Sequence, residues 1–198
     1  KVDSFRRMSD VELEDNVDES YQKPEKKSVA EIVSADSGDD ALNRYKASLL
    51  GSAAVGDAKF IIDPTDERIV IPKSMEVVVD GNVMTQIDLT RDFEGATMVI
   101  KEGAEYRLRL NFFVQREIVS GLKYIHRVSK MGITVEKETY MLGSYGPRME
   151  VHQFSTPKDK APEGMLHRGK YKIKSKLLDD DGSDYLTWNW NLEIAKDW

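Results

Sequence analysis

The clearest pattern in this chain is a run of alternating side chains close to its C-terminus. Five apolar residues occupy every second position there: Leu186, Trp188, Trp190, Leu192 and Ile194. A period of two predicts a β-strand with one apolar face and one polar face. From this pattern alone, the apolar face either fills the core of a β-sandwich or lines a cavity for an apolar ligand. Both interpretations stay open at this point.

Similar alternation runs through much of residues 58–198. Between Tyr106 and Val114, aromatic and aliphatic side chains share one face and arginines occupy the other. Asp80-Gly81 predicts a hairpin turn, because both residues tolerate the positive φ that such a turn needs. Turn residues separate many short strands, and no βαβ pattern appears. The fold class predicted for these residues is therefore an all-β antiparallel sandwich.

The first 57 residues follow a different pattern. Residues 1–27 are polar and charged, and the first 20 are expected to be disordered, because they offer little apolar surface to bury. Ser28 and Glu31 form a possible capping box, and apolar residues at helical spacing follow it. We predict that residues 28–51 form a helix–loop–helix on binding, either against the sandwich or against another protein. The predicted organisation is an arm of residues 1–57 followed by a sandwich domain of residues 58–198.

Composition and motif searches narrow the functional classes. The formal net charge of −6 argues against a general nucleic-acid binder, and no apolar run approaches the ~20 residues that span a bilayer. The chain has no cysteine. Its three histidines are too scattered for a metal triad, and Asp179-Asp180-Asp181-Gly182 lacks the ligand spacing of an EF-hand, which favours a solvated turn. No nucleophile motif appears. We therefore expect neither an enzyme nor a cofactor.

Several longer segments together resemble the Rho GDP-dissociation inhibitors, over roughly Tyr21 to the C-terminus. The segments that carry the resemblance are Ser28-x-x-Glu-Ile, Arg44-Tyr-Lys-Ala-Ser-Leu-Leu-Gly51, Lys101-Glu-Gly-Ala-Glu-Tyr-Arg107, Arg116-Glu-Ile-Val-Ser-Gly-Leu-Lys-Tyr-Ile125, Gly143-Ser-Tyr-Gly-Pro-Arg148, Gly164-Met-Leu-x-Arg-Gly169 and Asp179-Asp-Asp181 through Trp188-x-Trp190. The resemblance implies an immunoglobulin-like sandwich preceded by a flexible, partly helical regulatory arm.

The resemblance also implies a function. The arm is expected to bind the switch regions of a Rho-, Rac- or Cdc42-type small GTPase, with preference for the GDP-bound form, and to slow GDP dissociation. The sandwich is expected to take the geranylgeranyl group of the GTPase, extract the GTPase from membranes and keep it soluble in the cytoplasm. A monomer that forms a 1:1 heterodimer follows from this picture. The alternative is a general lipid-binding sandwich chaperone for prenylated proteins, without control of nucleotide exchange.

The resemblance assigns roles to particular positions. The expected prenyl-binding residues are Val77, Met98, Tyr106, Ile118, Leu166, Ile173 and Trp190. The expected contacts to the GTPase switch regions are Asp39, Leu42, Tyr45, Leu49 and Leu50. Expected acidic contacts to the GTPase are Glu136, Asp159, Asp180 and Asp181. Ser28 is a possible phosphorylation site, and Lys160 stands where the family has an acidic residue beside Asp159, which alters the surface offered to a basic GTPase tail.

Overall fold

The structure is a computed structural model that describes residues 38–44 and 60–198. Four residues with predicted roles, Ser28, Tyr45, Leu49 and Leu50, lie outside the described residues, as do residues 1–20 and most of the predicted helix–loop–helix. Within the described part of the arm, residues 40–44 form one helical turn, α1. The carboxylate Oδ1 of Asp39 accepts hydrogen bonds from the amides of Ala41 and Leu42, at 2.9 and 3.1 Å. Asp39 is therefore the N-cap of α1.

The rest of the described chain is built from strands, which confirms the predicted all-β class. Ten strands follow one another in the order β1 (Val70–Val79), β2 (Asn82–Asp88), β3 (Thr97–Lys101), β4 (Glu105–Val114), β5 (Val119–Lys130), β6 (Ile133–Tyr145), β7 (Arg148–Ser155), β8 (Asp159–Lys160), β9 (Gly169–Leu178) and β10 (Asp184–Ala195). The first sheet has the order β2-β1-β4-β7, with β8 paired to β4. The second sheet has the order β3-β10-β9-β5-β6.

The inner faces of the two sheets form one apolar core. The alternation that opened the sequence analysis places Trp188, Trp190, Leu192 and Ile194 of β10 in this core, with all four side chains buried. Burial of such side chains contributes about 1.5–3 kcal/mol each and is the main stabilising term of the sandwich. The predicted inward face of β10 is confirmed.

Two connections show how local and non-local signals differ. Asp80 and Gly81 have φ values of 49° and 84° and join β1 to β2, so the predicted hairpin turn is confirmed. By contrast, β3 leaves the first sheet and pairs with β10 in parallel, with Thr97 opposite Asn191. Periodicity did not reveal this parallel pair, because a crossover between sheets leaves the alternation of both strands unchanged.

In the turn between β9 and β10, Asp180 and Gly182 are exposed, as expected for a solvated tip, but Asp179 differs from that prediction. Asp179 is buried, and its carboxylate accepts hydrogen bonds from the amide of Ser183, at 2.8 Å, and from the hydroxyl of Tyr185. Asp179 therefore fixes the turn rather than facing solvent. Within residues 38–44 and 60–198, no group of three histidine or acidic side chains is arranged to hold a metal ion.

A buried histidine couples this fold to pH. His152 of β7 stacks on Phe112 at 5.6 Å between ring centroids, and its Nε2 lies 3.0 Å from the carbonyl oxygen of Gly146. Burial, assisted by the charge of Arg148, lowers the pKa of His152 from 6.5 to about 4. The unfolded chain therefore takes up a proton more readily than the folded chain. The contribution of His152 to stability is present above about pH 6.5 and is lost as the pH falls toward 4.

We expect the free energy of unfolding to fall by about 2 kcal/mol more between pH 7 and pH 5 in the wild type than in His152→Gln, a variant that cannot titrate. Urea unfolding at the two pH values measures this difference. His167→Gln is the control, because His167 is exposed. An identical pH dependence in the wild type and His152→Gln would show that this histidine does not couple folding to protonation.

Candidate functional site

One end of the sandwich holds a cavity of about 470 Å³ between the two sheets. The starts of β4, β6 and β9 and the ends of β5 and β10 meet there, together with side chains from residues 156–167. We refer to this end of the sandwich as the cavity end. The volume lies within the ~300–1,000 Å³ range of small-molecule sites. The sandwich core is therefore filled along most of its length and open at one end.

The second sheet supplies most of the apolar wall. Ile173, Trp190, Leu192 and Ile194 line the cavity as a continuation of the inward faces of β9 and β10. The opposing wall is lined by Leu108, by Tyr106 and by short side chains such as Thr156 and Pro162. The side chains of Ile173, Trp190, Leu192 and Ile194 border the cavity yet are shielded from bulk solvent. The cavity is thus bounded by large apolar side chains on one wall and by a mixture of large and short side chains on the other.

The hydroxyl group of Ser175 is the hydrogen-bond partner of Trp190 and Tyr124 beneath the cavity. Ser175 of β9 is fully buried, and its Oγ accepts a hydrogen bond from Trp190 Nε1 at 2.9 Å. The same Oγ lies 2.9 Å from the hydroxyl of Tyr124. Burial raises the pKa of Tyr124, so this phenol stays protonated. Because Ser175 satisfies the indole nitrogen, the Trp190 ring is free to serve as an apolar surface.

Acidic side chains stand beside the cavity. Tyr106 donates a hydrogen bond from its hydroxyl to Asp159 at 2.9 Å, and both residues line the cavity. Burial and the nearby Asp159 charge raise the pKa of Tyr106. Burial also raises the pKa of Tyr140 to about 12, with added effect from Glu138 and Glu136. These tyrosines stay neutral at physiological pH, so negative charge at this end of the sandwich comes from carboxylates.

His126 and His167 both line the cavity, and His126 is the buried one of the two. Its place on an otherwise apolar strand face in the sequence predicts a hydrogen-bonded structural histidine, whereas the buried Nδ1 has no hydrogen-bond partner. Its Nε2 lies 3.6 Å from Glu136 Oε1, and this contact lowers the pKa of Glu136. His126 therefore places a polar atom in the same wall as Val128 and Ile173.

Four of the seven expected prenyl-binding residues line the cavity, namely Tyr106, Leu166, Ile173 and Trp190. Val77 and Met98 are fully buried in the filled part of the core instead. For these two, contact with a ligand requires movement of the surrounding side chains. Their role in lipid binding stays a prediction.

Ile118 lies at the other end of the sandwich. It is partly buried between β4 and β5 and precedes Val119, the first residue of β5. The cavity residue Val128 lies nine positions after Val119, about 30 Å along an extended strand. The structure does not bring Ile118 to the cavity, and its role in lipid binding stays a prediction.

The expected acidic contacts divide in the same way. Glu136 and Asp159 line the cavity. Asp180 and Asp181 lie in the turn between β9 and β10 at the opposite end, where Asp180 forms an ion pair of 2.9 Å with Lys123. The four carboxylates therefore do not form one cluster. Of the expected switch contacts, Asp39 caps α1, and Leu42 is a partly buried residue within that helix.

Sequence reasoning missed several cavity residues. Leu192 and Ile194 stand on the alternating face that opened the sequence analysis, so the continuation of that face toward Ala195 was a usable signal. Val135 and Tyr140 on β6 gave no such signal, because β6 is exposed along much of its length. Their approach to the cavity depends on how β6 pairs with β5. No helix among the described residues is long and apolar enough to cross a membrane.

Comparison with known proteins identifies the family. A family model described as RHO protein GDP dissociation inhibitor matches residues 6–197. The chain is 43% identical over 196 residues to a probable rho GDP-dissociation inhibitor of Caenorhabditis elegans, covering 96% of this chain and 100% of that protein. It is 42% identical over 198 residues to human Rho GDP-dissociation inhibitor 1, covering 97% and 95% of the two chains. For mouse Rho GDP-dissociation inhibitor 3, identity is 37% over 190 residues, with 94% and 82% covered. The chain therefore belongs to the Rho GDP-dissociation inhibitor family.

Proposed function

We propose that this chain slows GDP dissociation from a Rho-type small GTPase and holds the geranylgeranyl group of that GTPase in the cavity between its sheets. Family membership supports the inhibitory activity, and the expectation that the chain is not an enzyme is confirmed because the family consists of regulatory inhibitors. The single observation that supports lipid carriage is the apolar cavity at one end of the sandwich.

The size of the lipid explains why a carrier is needed. A geranylgeranyl group has about twenty carbons, and each buried CH₂ contributes ~0.8 kcal/mol, so exposing the whole chain to water costs on the order of 16 kcal/mol. A GTPase carrying this group stays in water only if a protein covers the lipid. The walls formed by Ile173, Trp190 and Leu192 offer such a cover. In this proposal Val77, Met98 and Ile118 join them where the lipid extends beyond the cavity.

Moving the lipid from the bilayer to the cavity changes its free energy little, because both surroundings are apolar. In this proposal, contacts between the arm and the GTPase switch regions supply the binding free energy that favours extraction from the membrane. Asp39 and Leu42 belong to this contact, together with Tyr45, Leu49 and Leu50. The cap of α1 uses Oδ1 of Asp39, which leaves Oδ2 to accept a hydrogen bond from the partner.

The acidic residues suggest how the partner approaches. Glu136 and Asp159 beside the cavity offer negative charge to the basic tail that precedes the prenylated cysteine, while Asp180 and Asp181 contact the GTPase elsewhere. Phosphorylation of Ser28 would add negative charge to the arm and oppose docking on an acidic partner surface. The proposed complex is a 1:1 heterodimer in the cytoplasm with the GDP-bound GTPase.

Asp39→Ala tests whether the arm controls GDP release while the cavity controls lipid binding. We expect about tenfold weaker inhibition of GDP release from a geranylgeranylated GTPase, because a charge-assisted hydrogen bond and the helix cap are lost together. Affinity for a geranylgeranylated peptide should stay within twofold of the wild-type value. Release of a fluorescent GDP analogue measures the first quantity, and peptide titration measures the second.

Two further variants complete this test. Asp39→Asn keeps a capping side chain but removes the charge, so it separates helix formation from contact with the partner. Asp40→Ala is the control, since it changes the neighbouring exposed carboxylate and leaves the cap in place. Equal losses of both activities in Asp39→Ala would contradict the proposal. Unchanged GDP release after removal of residues 1–51 would instead support the alternative, a lipid chaperone without exchange control.

A further inference from the structure

Exposed apolar side chains crowd two neighbouring loop tips at the cavity end. Met131 and Ile133 lie at the tip of the β5–β6 hairpin, and Val135 follows them on β6. Met165 and Leu166 lie between β8 and β9. Met131 is 94% exposed and Leu166 is 90% exposed, which is unusual for such large side chains. We call these five residues the apolar rim.

A lysine holds the two tips together. Lys130, which directly precedes Met131, donates hydrogen bonds from Nζ to the carbonyl oxygens of Leu166 and Arg168, at 2.8 and 3.2 Å. The same ammonium group lies 4.6 Å from the centre of the Tyr171 ring. The hairpin tip is therefore anchored beside the loop, so the apolar rim forms one surface rather than two separate ones.

The apolar rim is continuous with the cavity. Val135 and Leu166 both line the cavity, and both are exposed to solvent. Met131, Ile133 and Met165 extend this apolar surface outward, away from the wall. An apolar path therefore runs from bulk solvent at the rim to Ile173 and Trp190 inside the sandwich.

We propose that the apolar rim docks on the lipid bilayer itself, placing the cavity mouth at the membrane surface so that a prenyl group passes inward without crossing water. The proposal rests on the proposed function of the cavity as a lipid carrier. In this arrangement Met131 and Met165 enter the boundary between headgroups and acyl chains, where protruding apolar side chains are stabilised. The contact is shallow and reversible, so the loaded carrier leaves the membrane.

The chemistry of the rim favours a bilayer over a protein surface. All five members are aliphatic or methionine, whereas interaction sites between proteins concentrate their binding energy in tryptophan, tyrosine and arginine. The side chains also project from turns: Met131 has a φ of 51° and is followed by Gly132 at 83°. Projecting side chains suit a fluid surface, because insertion requires no matching shape on the other side.

The charges nearby indicate which kind of bilayer is recognised. Arg168 forms an ion pair with Glu102, and Lys160 forms one with Glu163 at 2.6 Å. Lys130, whose ammonium group donates to backbone carbonyls, and Glu136 add one charge of each sign beside the rim. The surroundings therefore carry no excess of positive charge for anionic lipids. We expect docking to be driven by apolar insertion, to occur on uncharged phosphatidylcholine vesicles and to depend little on salt.

Met131→Ser/Met165→Ser tests the proposal, because it removes one apolar side chain from each tip and touches no residue assigned to prenyl binding. The matched control is Met141→Ser/Met149→Ser, which replaces two exposed methionines at the other end of β6 and at the start of β7. We expect the rim variant to lose at least about fivefold in flotation with phosphatidylcholine vesicles, and to extract a geranylgeranylated GTPase from them about tenfold more slowly. The control should match the wild type in both assays.

Titration of a geranylgeranylated peptide in solution separates the possible outcomes. An unchanged peptide affinity, within twofold, together with slow extraction supports bilayer docking. Equal extraction rates in rim variant and wild type, or no flotation of the wild type, would overturn it. If the rim variant instead binds a detergent-dispersed GTPase more weakly in the absence of vesicles, the rim is a GTPase contact and the proposal is wrong. Wild-type flotation without peptide binding would support docking while rejecting the carrier function.

Discussion

Replacing Val128 by aspartate is expected to weaken binding of a geranylgeranylated peptide by at least about 100-fold. Val128 lines the cavity from β5, directly opposite Ile173 of β9 and Glu136 of β6. An ionised carboxylate at this position would lose its water when the lipid enters, and this desolvation costs several kcal/mol. The carboxylate of Glu136 adds repulsion, because both charges are negative. Extraction of a geranylgeranylated GTPase from membranes should fail for the same reason.

The fold is expected to survive this change, because Val128 is only partly buried and stands near the open end of the sandwich. Peptide titration followed by a thermal melt separates a loss of affinity from a loss of structure. Val99→Asp is the control, since Val99 of β3 is also partly buried but lies outside the cavity. Wild-type affinity in Val128→Asp would show that the lipid binds elsewhere on the molecule.

Ile118→Asp extends the same experiment to the residue assigned by resemblance alone. If the lipid occupies only the cavity, Ile118→Asp keeps its affinity, because Ile118 lies at the opposite end of the sandwich. A loss comparable to that of Val128→Asp would assign Ile118 to the lipid site. In that case the sheets must open along their length when the lipid binds.

Gln115→Ala is expected to lower the free energy of unfolding by about 4 kcal/mol. Gln115 is fully buried after the end of β4. Its Oε1 accepts hydrogen bonds from the amides of Ile62 and Asp63, and its Nε2 donates to the carbonyl oxygens of Asp66 and Arg68. Each of the four partly buried hydrogen bonds contributes about 1 kcal/mol. One side chain thus fixes the segment that leads into β1.

Urea denaturation at neutral pH measures this effect, with Gln153→Ala as the control. Gln153 is exposed on β7, so its replacement should change stability by less than about 0.5 kcal/mol. A loss below 1 kcal/mol in Gln115→Ala would mean that residues 60–68 are held mainly by other contacts, such as the hydrogen bond from Arg116 to the carbonyl oxygen of Asp66.

Local patterns in the sequence predicted much of the sandwich. Alternation identified the inward face of β10, because every second side chain of a strand points to the same side regardless of its neighbours. The Asp80-Gly81 turn was equally local, since its positive φ values depend on the two residues themselves. The parallel contact between β3 and β10 was not predictable in this way. It depends on a crossover that brings together segments about ninety residues apart.

The site was predictable to a smaller extent. Resemblance named Tyr106, Leu166, Ile173 and Trp190, which the structure brings together at one cavity. The resemblance could not show that Ile118 and Asp180 lie at the other end of the sandwich. The distance between two residues on different strands depends on the register in which those strands pair. His126 was expected to be a satisfied structural residue, yet its Nδ1 is unpartnered beside the cavity. Partners contributed by other strands cannot be inferred from the residue alone.

The sequence by itself determined the all-β class, the inward face of β10 and membership of an inhibitor family, since strand periodicity and long co-linear motifs are properties of the chain. The tertiary structure alone decided where the apolar interior stays unfilled. An opening depends on the combined sizes of side chains contributed by separate strands, such as Leu108 of β4 and Leu192 of β10, which both line the cavity. The tertiary structure also brings the exposed methionines of two loops that are distant in sequence into one surface, because only folding places Lys130 beside Leu166.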